Sequence, residues 1–269
     1  MKCTAIVLSA GKGKRMGTDR AKQYLDLHGR PVLYYCLKAF QDSFIDEIII
    51  VASGEDHDYI REEIVEKYGL TKVVGIVEGG AERYDSVLCG LRAAGGDGLC
   101  HGDGSYGTYE DILTDFSDAA IPAGISGYVF IHDGARPFID NEILNRAYET
   151  VKKYGTAIVA VPSKDTVKIV DSEGITVDTP DRRAVWLMQT PQVFAYEPIL
   201  EAYEKMDEYK KSESAGPHDK DKSGVMITDD AMVMEHFGSL PVHVSEGSYR
   251  NIKITTPEDM LIAEAFVSK

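Results

Sequence analysis

The sequence predicts an α/β fold: a doubly wound, mostly parallel sheet with helices on both faces and a projecting β-hairpin arm. Three observations carry that expectation. Short β-branched apolar runs recur through the first half, helix-like stretches lie between them, and a glycine-rich basic loop follows the first run directly. Runs that are apolar at every position suit strands covered on both faces, and their alternation with helices calls for βαβ crossovers.

In chain order, Ala5–Leu8 is the first strand, and the loop from Ser9 to Gly17 leaves it. Pro31–Gln41 is a helix, with Pro31 fixing φ where a first helical turn needs it. Glu47–Val51 is the second strand, Glu55–Tyr68 a second helix and Lys72–Val77 the third strand. Arg83–Ala94 reads as a third helix, Tyr128–Ile131 as the fourth strand and Ala157–Val161 as the fifth. Ligands of such sheets bind beyond the carboxyl ends of the strands, so chemistry is expected in the loops that follow these runs.

Three segments leave this rhythm. Residues 95–127 are glycine-rich and carry the acids Asp97, Asp103, Glu110, Asp111, Asp115 and Asp118 with no Lys or Arg, which marks a surface insertion with room for one short helix. Residues 163–189 hold two β-rich runs, Thr166–Asp171 and Gly174–Val177, around a Ser172-Glu173-Gly174 turn, the composition of a hairpin. That hairpin is either an arm that packs on a partner or an edge extension of the main sheet. Residues 208–224 are dominated by charged and small polar side chains and are expected to form a flexible, solvated loop. Residues 1–269 form one expected domain, within the size that a single α/β core can reach.

The 44 acids outnumber the 29 basic residues and leave a net charge of −15. Gripping a nucleic-acid backbone needs clustered positive charge, so no nucleic-acid partner is expected. No apolar run approaches the ~20 residues that span a bilayer, and no secretory-type segment precedes the first strand; a cytoplasmic protein without membrane contact is expected. Cys3, Cys36, Cys89 and Cys100 are scattered, with no Cys-x-x-Cys pair and no histidine at zinc-ligand spacing, as reduced thiols would be.

Positive charge is nevertheless concentrated in one place. Lys12, Lys14, Arg15, Arg20 and Lys22 lie within one short stretch against a single acid, Asp19. Glycines after a strand let backbone N–H groups converge on an anion, and the basic side chains that follow add charge. Two other phosphate loops are excluded. No Gly-Lys-Ser/Thr closes the segment, and after Gly11 and Gly13 the third glycine of a dinucleotide fingerprint would fall on Met16. A glycine loop alone is equally what a tight turn needs; the density of basic residues shifts the reading to a polyphosphate site. Structural readings exist for the other polar positions too: Asp133 as a helix cap, Thr228-Asp229 as a helix start, Arg182 and Lys168 in surface ion pairs.

The stretch Leu8-Ser9-Ala10-Gly11-Lys12-Gly13-Lys14-Arg15-Met16, followed by Lys22-Gln23-Tyr24-Leu25, resembles the signature of 2-C-methyl-D-erythritol 4-phosphate cytidylyltransferases. The resemblance continues through Gly79-Gly80-Ala81-Glu82-Arg83-Tyr84-Asp85-Ser86-Val87 and His132-Asp133-Gly134-Ala135-Arg136-Pro137. It persists in Asp165-Thr166-Val167-Lys168, Asp181-Arg182, Gln189-Thr190-Pro191-Gln192, Thr228-Asp229-Asp230 and Asn251-Ile252-Lys253-Ile254-Thr255. The blocks stand in family order from end to end and leave out only the insertion and the polar loop.

The resemblance implies a Rossmann-like nucleotidyltransferase that transfers CMP from CTP to this sugar-alcohol phosphate and releases pyrophosphate, a step of isoprenoid precursor biosynthesis. At the matching positions it implies a CTP site at Ala10, Gly11, Gly13, Lys14, Arg15, Lys22, Gly80, Ala81, Ser86 and Asp133. It implies an acceptor site at Asp133, Arg136, Thr166, Arg182, Thr190, Thr228 and Lys253, with Arg15, Lys22 and Lys253 as the catalytic cations. Mg²⁺ or another divalent cation is the implied cofactor and Asp133 its ligand. Thr166 and Arg182 would reach the partner's site on the arm of a homodimer.

Two positions depart from the family pattern. Ala81 stands where the family commonly has an acid that contacts the nucleotide, and Ala21 where it commonly has proline. The nearest rival activity is a ribitol 5-phosphate cytidylyltransferase; Lys168 and the region of Trp186 look more like the methylerythritol enzymes. A rival of another class, a nucleotide-binding regulatory protein without catalysis, is disfavoured by the intact set Arg15, Lys22 and Lys253.

Overall fold

Strands form where the five apolar runs predict them: β1 (Lys2–Leu8), β2 (Glu47–Ala52), β3 (Val73–Glu78), β4 (Gly127–Asp133) and β5 (Thr156–Pro162). The structure is a computed structural model and describes residues 1–11, 20–95, 99–100, 106–107, 127–214 and 227–268. Two further strands, β6 (Trp186–Ala195) and β7 (Val244–Glu246), complete a 7-stranded sheet of order β7-β5-β6-β4-β1-β2-β3. β1 pairs in parallel with β2 and β4, β2 with β3 and β5 with β7. Only β6 runs antiparallel, between β4 and β5.

Because successive side chains of a strand face opposite sides, the continuous apolar runs feed two cores. Ala5 and Val7 of β1, Ile48 and Ile50 of β2, and Phe130 of β4 face α1 (Val32–Gln41) and α4 (Asn141–Tyr154), which bring Leu33, Leu37, Phe40, Ile143, Ala147 and Val151. Ile6, Ile49, Val129 and Ile131 face the other way, onto α3 (Arg83–Gly95), α5 (Tyr196–Ser214) and α6 (Asp230–Phe237), with Leu91, Tyr203 and Val233 fully buried. Helix α4 has sharp ends. The Asp140 carboxylate accepts from the Ile143 amide at 2.8 Å, and Gly155 stops the helix at φ 77°.

The second expected helix is a composite: a 3₁₀ turn at Gly54–Asp56, α2 (His57–Ile60) and a π-helical stretch at Arg61–Glu66. The last helix, α7 (Pro257–Val267), opens on a capping box between Thr256 and Asp259.

Three boundaries differ from the sequence reading. Residues 186–189, expected at the end of the arm, belong to β6 in the middle of the sheet. Helix α5 runs to Ser214, so the first residues of the stretch expected as a loop from 208 onwards are helical; 215–224 lie outside the described residues. Within 95–127, α3 ends at Gly95, Leu99–Cys100 pairs with Tyr106–Gly107, and β4 begins at Gly127; the rest of the expected insertion lies outside the described residues. The hairpin itself is a separate 2-stranded sheet, Ile169–Val170 against Thr176–Asp178, and so is no edge extension of the main sheet. Gly174 turns it at φ 82°, while the Asp171 carboxylate accepts from the amides of Glu173 and Ile175, both at 2.9 Å.

Candidate active site

A cleft opens beyond the carboxyl ends of β1 and β4, where a doubly wound sheet places its ligands. Its walls are the loop after β1 (Leu8 to Gly11), the segment from Gly80 to Arg83 with Ser86 of α3, Asp133 and Ala135 after β4, and the side chains of Lys22, Gln23 and Lys253.

Gln23 and Tyr24 fasten Lys22 to this cleft. The Gln23 amide donates to the carbonyls of Ser9 at 2.6 Å and Gly11 at 3.2 Å. The Ser9 hydroxyl donates to the Tyr24 phenol at 3.1 Å, and the phenol donates to Asp56 at 3.2 Å. The 3₁₀ turn Lys22–Tyr24 is thereby tied to the loop that follows β1. Ala21 holds φ at −60°, the value that a proline ring would impose, so its departure from the family pattern leaves the folded backbone in the same place.

Glycine 79 lets two walls close on each other. A Cβ there would lie 2.8 Å from both the Ala10 methyl and the Ser86 hydroxyl, closer than such atoms can approach. The Ser86 hydroxyl donates back to the Glu82 carbonyl at 3.2 Å.

The Asp133 carboxylate is held between two cations: Lys253 Nζ stands 2.8 Å from Oδ2 and Arg83 Nε 3.5 Å from Oδ1. Burial alone would raise the carboxyl pKa, but Arg83, Lys253 and Arg136 together hold it well below the usual carboxylate range. Behind it, a chain of hydrogen bonds fixes the end of β4. The Asp133 amide donates to Thr190 Oγ1 at 3.0 Å, and Thr190 Oγ1 lies 3.1 Å from His132 Nδ1. His132 Nε2 lies 3.1 Å from the Arg136 carbonyl. A carbonyl can only accept, so Nε2 carries the proton and Nδ1 accepts from the threonine. Burial pushes this imidazole down to about 4, so it is neutral and keeps that tautomer near neutral pH.

Lys253 is positioned through its backbone. The Ile254 amide donates to the Ala135 carbonyl at 2.9 Å, and the fully buried Asn251 donates to the Thr190 carbonyl at 2.9 Å. Gln189 adds a bond to the Ser248 carbonyl at 2.8 Å. The polar residues of β6 therefore hold both Asp133 and the segment that carries Lys253.

The residues read from the sequence divide into three groups. Ala10, Gly11, Lys22, Gly80, Ala81, Ser86, Asp133 and Lys253 all line the cleft. Thr190 and Arg136 lie behind it: the threonine hydroxyl is spent on Asp133 and His132, and the Arg136 guanidinium donates to the carbonyls of Asn251 at 2.7 Å and Met188 at 3.4 Å. Thr166, Arg182 and Thr228 are exposed and are not among the cleft-lining residues of their own chain. Gly13, Lys14 and Arg15 lie outside the described residues.

Among the cleft residues to which the sequence assigns no role, Arg83 is the one that contacts Asp133. Arg83 stands in the first turn of α3, where the helix dipole disfavours a cation, and that mismatch was the available signal. It forms a two-pronged bond to the fully buried Asp230, at 2.7 and 2.8 Å.

Comparison with known proteins points the same way along the whole chain. A family model described as 2-C-methyl-D-erythritol 4-phosphate cytidylyltransferase matches residues 3–103 and 118–269. The protein of that name from Lachnoclostridium phytofermentans is 42% identical over 266 residues, covering 99% of this chain and 96% of the relative. Its counterpart from Geotalea uraniireducens is 43% identical over 268 residues, covering 99% and 97%. Among solved structures, 4-diphosphocytidyl-2C-methyl-D-erythritol synthase from Anaerococcus prevotii aligns with a TM-score of 0.72 at 32% identity, covering 100% of this chain and 96% of that one. The 2-C-methyl-D-erythritol 4-phosphate cytidylyltransferase from Thermus thermophilus aligns with a TM-score of 0.68 at 25% identity, covering 100% of each.

Proposed function

The chain belongs to the 2-C-methyl-D-erythritol 4-phosphate cytidylyltransferase family, and on that premise we propose how its cleft carries out the family's reaction. CTP and 2-C-methyl-D-erythritol 4-phosphate are joined to give the 4-diphosphocytidyl product and pyrophosphate, a step of isoprenoid precursor biosynthesis. The observation that carries this reading is the meeting of Lys22, Lys253 and the Asp133–Arg83 pair around one glycine-walled cleft, in a chain that matches the family nearly end to end.

A phosphate oxygen of the acceptor attacks the α-phosphorus of CTP in line. A new P–O bond forms as the bond to the bridging α–β oxygen breaks, and its electron pair leaves with pyrophosphate. A phosphate monoester is largely ionised near neutrality, so no general base is needed. Both reactants are anions, and the work left to the protein is to align them and to stabilise charge on the phosphate oxygens. Lys22 and Arg15 supply charge to the polyphosphate, helped by the amides of the loop after Ala10. Lys253, steered by Asp133, supplies it at the reacting phosphates. His132 is neutral, fully enclosed and committed to Thr190 and Arg136, which makes it a support for Asp133.

A divalent cation fits the donor set. Among the described residues no three His, Cys, Asp or Glu side chains cluster as a metal cage, while Asp133 offers one ionised carboxylate to the cleft. Mg²⁺ characteristically binds through one or two carboxylates and completes its shell with water and substrate phosphates. Asp133 would hold it, and it would supply further positive charge to the phosphate oxygens.

Two features support a homodimer that shares its sites through the hairpin arm. Thr166 and Arg182 sit on the arm away from their own cleft, and the arm exposes Ile169, Val170, Ile175 and Val177. A cytoplasmic setting agrees with Cys3, Cys36 and Cys89, which are buried and form no disulfide. No described helix is long and apolar enough to cross a membrane.

The test is to supply CTP, Mg²⁺ and one acceptor at a time while measuring pyrophosphate. Methylerythritol phosphate should be used with a kcat/KM at least about 10²-fold above that for ribitol 5-phosphate, the scale on which a pocket separates substrates that differ by a small apolar group. The reverse preference would move the protein to the ribitol enzymes, and no pyrophosphate with either would leave a nucleotide-binding protein without catalysis.

A further inference from the structure

We propose that Arg83 is the positioning residue of this cleft: clamped from behind by Asp230 and Tyr203, it holds the Asp133 carboxylate, and through it Lys253, in the arrangement that the transfer step uses. The inference rests on the CMP-transfer reading above.

The clamp is built from three helices. Arg83 stands at the start of α3, Asp230 at the start of α6 and Tyr203 in the middle of α5. Asp230 and Tyr203 are fully buried, while the Arg83 side chain retains 29% of its exposure and lines the cleft. Two guanidinium nitrogens of Arg83 meet the two carboxylate oxygens of Asp230 at 2.7 and 2.8 Å, and the Tyr203 phenol donates to one of the same oxygens at 2.5 Å. A planar fork on a carboxylate fixes the guanidinium in orientation as well as in position. The edge left over, Nε, faces Asp133 Oδ1 at 3.5 Å.

This geometry decides what Asp133 does with its second oxygen. Lys253 carries a compact charge on a flexible stem and is 36% exposed, so it cannot orient a carboxylate by itself. Arg83 stands beside Oδ1 at 3.5 Å, and Oδ2 meets Lys253 at 2.8 Å. Without Arg83 the carboxylate is free to turn both oxygens onto the ammonium and withdraw it from the reacting phosphates. The same arrangement explains why a cation is tolerated in the first turn of α3: the buried carboxylate of α6 compensates for the helix dipole and for burial.

The rival explanation is a buried ion pair that serves stability alone. Such a pair can often be exchanged for apolar residues without loss of stability, whereas removing one partner strands a buried charge. The informative variant is therefore the double exchange Arg83→Met with Asp230→Leu, made together with Tyr203→Phe so that no buried hydroxyl is left without its acceptor. It is assayed for melting temperature and for steady-state pyrophosphate release. The expected result is a melting temperature close to that of the unaltered protein, a KM for CTP within about threefold, and a kcat lowered about 10²-fold, the scale of loss when a reacting group is misplaced by ~1 Å.

A recovered melting temperature with unaltered kcat overturns the proposal. So does a raised KM with unaltered kcat, because Arg83 would then be a contact for bound substrate only. Should the combined variant not fold, Tyr203→Phe alone decides: it removes one hydroxyl from the clamp and no charge, and should lower kcat about threefold to tenfold at unchanged KM. Unaltered kcat in Tyr203→Phe again overturns it. An unaltered protein that released no pyrophosphate would instead end the CMP-transfer reading, so the two failures are distinguishable.

Discussion

At the scale of single residues, the site depends on side chains that serve other side chains. Lys22 faces the cleft because Gln23 and Tyr24 bind the loop after β1. Lys22→Ala should leave the fold intact and lower kcat by about 10²–10³, the effect of removing one charge-stabilising donor, or about 2.7–4 kcal/mol. Turnover near the unaltered level with CTP saturating would refute a polyphosphate role. His132 makes a prediction about pH. Its folded value is pushed by burial from 6.5 to about 4, so between those values the unfolded chain binds a proton that the folded chain refuses. Stability therefore rises with pH across that window, and acidification from pH 7 to pH 5 should cost the protein about 2 kcal/mol through this group. Urea unfolding of the protein without nucleotide or metal measures the loss, and His132→Gln should lack that share of it. An identical pH slope in the two proteins would show that His132 is not buried in neutral form. Lys22 and Asp133 were legible in the sequence because charged residues after a strand suggest a ligand site. The part played by His132 was not, since tautomer and burial arise only once Thr190 of another strand is placed beside it.

At the scale of elements, the sheet shows where hydrophobic patterning speaks and where it falls silent. The runs of β1 to β5 are covered on both faces and could be read directly. Strand β6 could not, although it lies between β4 and β5. Its sequence carries Gln189, Thr190, Pro191 and Gln192, and proline in a run argues against a central strand. The structure accommodates them through a register shift between Met188 and Gln192, and the three polar side chains are buried because each has work inside: bonds to Ser248, His132 and Asp229. Strand β7 was missed because it is only three residues long. The hairpin was legible from its turn, which Gly174 and Asp171 build locally. Close approach of elements was not, and it governs the next prediction. Gly79→Ala adds a methyl that meets the Ala10 methyl and the Ser86 hydroxyl at 2.8 Å, forcing two cleft walls apart. Overpacking of this kind costs about 1–3 kcal/mol, so the variant should melt at lower temperature and bind CTP about tenfold more weakly. Calorimetric titration with CTP checks it, and unaltered affinity would show that the walls move apart without consequence for the nucleotide.

At the scale of the whole molecule, one chain supplies a cleft and, in the segments that flank a separate hairpin, two residues that the cleft does not contain. Thr166 and Arg182 are exposed on the arm, and Ile169, Val170, Ile175 and Val177 keep 48%, 53%, 58% and 61% of their exposure. An isolated two-stranded hairpin is marginal in water, and a cluster of exposed β-branched side chains marks a surface that packs on something. On the proposed dimer, a second copy would offer that surface under two-fold symmetry, exchanging the arms and covering both at once. Co-assembly tests the exchange. Chains bearing Arg182→Ala retain Lys22, and chains bearing Lys22→Ala retain Arg182, so each variant alone spoils every site it forms. In an equal mixture allowed to re-pair at random, half the assemblies are mixed, and each mixed assembly has one site that receives neither lesion. Activity should therefore recover to about a quarter of the unaltered level per chain. A chain that sediments as a monomer at assay concentration, or mixed dimers verified by tag that stay inactive, would show that Arg182 serves its own chain and that the arm covers some other surface.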